Sequence, residues 1–222
     1  MVMKKTVLVA LIMGLAGSAL AVDKSELDKN LQTICQKFTA MQQNPQTRIP
    51  AEQLAEAKGI VLMDRTGGAF IIGGHSGYGV ACTRNAQGQW SQPSFVSSSG
   101  FSLGPQIGGT KDFYVVLANT QQAADALKQS KTDFGAAASV TGGTANAGTQ
   151  ANMGGSQPVV VYSQNKGLYA GASLKGGNMK EDADANEVYY GRPVSAQDVF
   201  SAQVQPSPQG IILVKDLNQW AR

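Results

Sequence analysis

Between Asp23 and Gln43 apolar residues recur at Leu27, Leu31, Ile34, Cys35, Phe38 and Met41. That spacing is one face of an α-helix, which Asn44-Pro45 ends. The polar face is balanced in charge, with Lys24, Lys29 and Lys37 against Asp23, Glu26 and Asp28. The helix is therefore expected to pack on the domain rather than lie on an anionic membrane. A second short helix is predicted from Pro50 to Ala57, with proline at its start and Gly59 at its stop.

From Gly59 to Gly177 the period falls from 3.6 to 2. Segments such as "IVLM", "GYGVACTR", "DFYVVLAN", "PVVVYSQ" and "GLYAGASL" are separated by Gly, Asn or Ser turns, which predicts closely spaced antiparallel strands. "QQAADALKQS" at 121 to 130 interrupts them with a short helix. Gly135 to Gly155 is so poor in large side chains that a hairpin about Gly142-Gly143 and disorder both remain open. The pattern turns helical again at "SAQDVF", 195 to 200, and at "SPQGIILVKDLNQW", 207 to 220, where Ser207 can cap and Pro208 can start the helix.

The residues before Val22 change how the charge is read. Lys4 and Lys5 precede an uncharged apolar stretch that closes on Ala19-Leu20-Ala21, the organisation of a secretory signal peptide cleaved near Ala21. In "LAGS", Ser18 stands where a lipidated cysteine would have to be, so no lipid anchor is expected there. Without Lys4 and Lys5 the basic residues fall from 18 to 16 against 15 acids, and the net charge from +3 to +1. So small a charge argues against bulk electrostatic binding to nucleic acid or to an anionic membrane, which needs several cations on one surface. Residues 22–222 are expected to form one domain in the periplasm or outside the cell. In such an oxidising compartment Cys35 and Cys82 are most simply a disulfide, with a buried free thiol as the alternative.

Enzyme motifs fail on spacing. "GGHSGYG" at 73 to 79 lacks the dinucleotide-binding pattern, and a strand follows it rather than a helix. "GHSGY" has Tyr78 where a nucleophile elbow requires glycine, and His75 beside Ser76 would point to the opposite face of a strand. "DADANEVYYGRP" begins like a calcium loop, but Glu187 replaces its glycine and Pro193 stands where the bidentate acid belongs. A capped helical turn is the reading instead. A membrane barrel is set aside because aromatics are only 7% and amphipathic helices flank the strands.

Six blocks in order, "AKGIVLM" (57 to 63), "GGHSGYGVACTR" (73 to 84), "WSQPSFV" (90 to 96), "GPQIGGTKDFYVVL" (104 to 117), "YSQNKGLYAGASLKG" (162 to 176) and "NEVYYGRPVSAQDVF" (186 to 200), resemble the successive motifs of the SYLF domain. That family of lipid-binding domains occurs in bacteria and in eukaryotic actin-patch and membrane-remodelling proteins. The chain departs from it near Asp64, where the family usually has proline, near Asn165, usually serine, and near Lys175, usually an acid. It also lacks the polybasic N-terminus linked to phosphoinositides in eukaryotic relatives.

The resemblance implies a non-enzymatic module without cofactor that binds phospholipid or a membrane surface. An envelope protein is the alternative partner, in a structural role without lipid. Lys166, at a turn, and Lys175, at a strand end, are the candidate head-group contacts. The expected fold is α+β, a curved antiparallel sheet or partly closed barrel with helices packed at the N- and C-terminal ends. Small residues in the block at 162 to 176 suit sharp curvature or close approach by another segment.

Overall fold

A computed structural model describes residues 23–65, 76–99, 112–129, 131–133, 158–164, 167–169 and 178–221. The predicted first helix is α1, Lys24–Gln43, and the Asp23 side chain caps it by accepting from the Glu26 amide. Then follow α2 (Ala51–Glu56), β1 (Gly59–Arg65), β2 (Ser76–Thr83), β3 (Ser94–Ser99), β4 (Asp112–Ala118) and α3 (Gln121–Ala126). After β5 (Lys131–Asp133), β6 (Val159–Ser163), β7 (Gly167–Tyr169) and β8 (Asn178–Glu181) come α4 (Ala183–Tyr190), α5 (Ala196–Phe200) and α6 (Pro208–Trp220).

The eight strands form one sheet in the order β5-β8-β3-β2-β1-β4-β6-β7, and every pairing is antiparallel. The fold is α+β, as expected from the sequence. Among the described residues β5 and β7 end the order, so the sheet is open rather than a closed barrel. Period 2 sends alternate side chains to opposite faces. Ile60, Leu62, Val80, Cys82, Val115 and Leu117 lie in one core with Leu31, Ile34 and Phe38 of α1 and Leu213 and Leu217 of α6. Val61, Met63, Ala81, Val96 and Val116 lie in a second, with Val199 and Phe200 of α5. The helices at the two ends of the sequence thus cover the same face of the sheet.

The segment read as a capped helical turn is a full helix, α4. Asp182 caps it by accepting from the Ala185 amide, and Gly191 ends it in the left-handed conformation at φ 71°. Its Asn186 is fully buried and reaches β3: Oδ1 accepts from the Phe95 amide at 2.7 Å and Nδ2 donates to Ser94 Oγ at 3.1 Å. Glu181 receives a second Nδ2 bond and accepts from the Ala196 amide at the start of α5. Side-chain bonds therefore hold α4 to β3 and α5 to the end of β8.

Candidate functional site

The structure places the residues expected at the site unevenly. Lys166, Lys175 and the segment up to Ala21 lie outside the described residues, as do the ten residues 66–75, which include His75. Cys35 and Cys82 are described, and both are buried free thiols, so the bridge expected from the sequence is not formed. They sit in the same core, Cys35 on the inner face of α1 and Cys82 on β2, as small apolar side chains do. Burial, then the nearby Asp216 charge, pushes the Cys35 thiol up to about 12, and burial pushes Cys82 up as well.

A thiol held protonated and out of solvent is a poor nucleophile. Neither cysteine is therefore expected to react with an alkylating reagent in the native protein, and both are expected to react once it is denatured without reductant. Mass spectrometry of the alkylated chain checks this. Two unreacted cysteines after denaturation would restore the bridge.

At one end of the sheet a polar cluster interrupts the core. Asp64 of β1 is buried, at 2% exposure, and pairs across the sheet with Tyr78 of β2 and Phe113 of β4. Its Oδ2 accepts from Lys37 Nζ of α1 at 2.6 Å and from the Tyr78 hydroxyl at 2.9 Å. Its Oδ1 is buried without a partner. Burial first, then the bond to Asp64 and its charge, moves the Tyr78 hydroxyl well above the usual tyrosine range, so it stays a donor. Lys37 keeps 29% of its side chain exposed and connects the carboxylate to the surface. The cluster pins α1 to the sheet by charge. Its one hydroxyl, Tyr78, is kept protonated by burial and so is a poor nucleophile.

The surface shows another departure from ordinary burial. Ile211 and Ile212 on α6 are 53% and 44% exposed, the large apolar side chains left exposed among the described residues. Lys215, one turn further on, is exposed too. The sequence pattern made "GIILV" part of a helix. It could not separate Leu213, which is buried, from its two isoleucine neighbours. No described helix is long and apolar enough to cross a membrane. Among the described residues there is no group of His, Cys, Asp or Glu able to hold a metal ion.

Residues 99–219, more than half of the chain, match the family model described as Ysc84, Las17-binding protein actin regulator. An SH3 domain-containing protein of Schizosaccharomyces pombe is 35% identical over 165 residues, covering 72% of this chain and 38% of its own length. LAS seventeen-binding protein 3 of Saccharomyces cerevisiae is 33% identical over 165 residues, covering 72% of this chain and 36% of its own. The human SH3 domain-containing YSC84-like protein 1 is 29% identical over 182 residues, covering 80% and 53%. The chain spans little more than a third of the length of the two yeast relatives.

Proposed function

The chain belongs to the Ysc84 family of SYLF domains, and from that premise we propose that it is an exported, non-enzymatic binding module that associates with anionic phospholipid at an envelope membrane. Ile211 and Ile212 carry this reading: two adjacent apolar side chains turned to solvent, with a lysine one turn away. Apolar side chains can enter the head-group boundary while a neighbouring cation meets its charge. Lys166 and Lys175 are proposed as further contacts to the head groups. The near-neutral processed chain limits the electrostatic share to such local lysines, each worth about 1 kcal/mol near a negative surface.

Binding to phosphatidylglycerol vesicles is expected to fall steeply with salt. The double reversal Lys166→Glu and Lys175→Glu is expected to weaken it roughly tenfold or more with circular dichroism and melting unchanged. Vesicle co-sedimentation measures both. Binding that survives the reversal and high salt would leave the contact to Ile211 and Ile212 alone.

A second reading is a protein-binding module without lipid. It is favoured by the names of the relatives, one a Las17-binding protein and the family model an actin regulator. No vesicle binding by the unaltered protein would support it.

A further inference from the structure

Arg84 and Trp90 close the connection from β2 to β3 as an isolated antiparallel bridge. They lie beyond Thr83, at the opposite end of β1 from Asp64. The guanidinium carbon stands 4.3 Å from the centre of the Trp90 ring. Two of the three guanidinium nitrogens serve backbone carbonyls: Nη1 donates to Gly88 at 3.0 Å and Nη2 to Leu54 at 3.2 Å. The remaining Nε is buried without an acceptor, and so is Nε1 of Trp90, a side chain only 6% exposed. Buried donors are nearly always paired. Here two stand unpaired on a stacked couple.

The charge is unmet as well. Among the described residues no carboxylate is ion-paired with Arg84, and Glu52 and Glu56 of the neighbouring α2 are exposed. The Arg84 amide donates to the carbonyl of Lys58, which sets a second, exposed cationic residue beside it in the backbone. A half-buried cation with no counter-charge, beside two N–H groups with no acceptor, is the complement of an oxyanion.

We propose that Arg84 and Trp90 form an oxyanion-binding site, in which one phosphate or carboxylate group accepts from Arg84 Nε–H and Trp90 Nε1–H and answers the guanidinium charge. The exposed Asn85–Gln89 turn, which Arg84 holds through the Gly88 carbonyl, is the element that shifts to admit it. An entering anion gives both unpaired donors a charged acceptor, and charge-assisted hydrogen bonds are the stronger kind. The site stands independently of the vesicle-binding reading, because a lipid head group and free phosphate present the same oxygens.

The two tryptophans, Trp90 and Trp220, give the test separate probes. In the 15N-labelled protein the Trp90 indole N–H signal is expected to move saturably with inorganic phosphate. Chloride at equal ionic strength, and the Trp220 signal, should show no such change. Trp90→Phe keeps a ring under the guanidinium but removes the donor, and Arg84→Lys keeps the charge but removes Nε. Each is expected to weaken phosphate binding about tenfold by calorimetry, the scale of one lost hydrogen bond to a charged group.

If Arg84→Lys fails to fold, Trp90→Phe carries the result. An indole signal indifferent to phosphate, or variants that bind phosphate as well as the unaltered protein, would overturn the site. Short-chain phosphatidylglycerol below its micellar concentration separates the sources. A shift with phosphate and with this lipid supports a site open to head groups, and a shift with phosphate alone supports a site for free oxyanions. Vesicle binding unchanged in Trp90→Phe, with phosphate binding lost, would keep the oxyanion site and separate it from the membrane contact.

Discussion

Lys37→Met is expected to lower the stability of the domain by about 3 kcal/mol, because it leaves the Asp64 carboxylate buried with one neutral donor and no counter-charge. The lysine reaches across from α1 to Oδ2 at 2.6 Å, and Oδ1 already has no partner. At roughly 2–4 °C per kcal/mol for a chain of this size, the melting temperature should fall by about 10 °C. Removing both charges is a different matter, since apolar groups of similar volume often replace a buried pair without loss. Lys37→Met with Asp64→Leu and Tyr78→Phe is therefore expected to be more stable than Lys37→Met alone. Urea unfolding of the variants measures the coupling. A loss below about 1 kcal/mol in Lys37→Met would place the pair with solvated surface bridges instead.

Gly79→Ala is the second large effect, and it arises from backbone rather than charge. Gly79 lies on β2 between Met63 of β1 and Val96 of β3. A Cβ there would sit 2.5 Å from the Leu62 carbonyl oxygen and 3.1 Å from the Met63 Cα. Both are main-chain atoms of a strand paired on each side, so neither can withdraw without parting the ladder. A loss of about 3 kcal/mol is expected, at the upper end for overpacking. Gly59→Ala is the control: its Cβ would meet Leu127 Cδ1 at 2.9 Å, the end of a side chain that can rotate, and should cost less. Equal melting temperatures for the two variants would contradict this account.

The helices were legible because their period and their caps agree. Asp23, Thr120, Asp182, Ser195 and Ser207 each accept a backbone N–H at a helix start, and Pro208 opens α6 as its position in the sequence implies. Strands were legible as alternation, but their order was not. β8 lies beside β3, whose residues are about 80 positions earlier, and no local pattern encodes such a pairing. Asp64 was hidden for a related reason: in "GIVLMDR" it looks like the polar end of a strand, and only α1 folding over it makes it interior. Arg84 and Trp90 are six residues apart and were read as the ends of two family blocks. Their stacking depends on how the connection between β2 and β3 closes.

Because α1 and α6 cover one face of the sheet, the order of synthesis constrains the order of folding. A ribosome delivers α1 and the β1–β2 hairpin long before residues 208–220 exist. Until Leu213 and Leu217 arrive, the core they share with Leu31 and Phe38 lacks one of its walls. At about 5–20 residues per second, the interval between the first helix and the last is on the order of ten seconds or more. Throughout it the nascent chain presents apolar surface to whatever holds chains unfolded. A domain closed by its last helix thus completes its core only once most of its chain has been made.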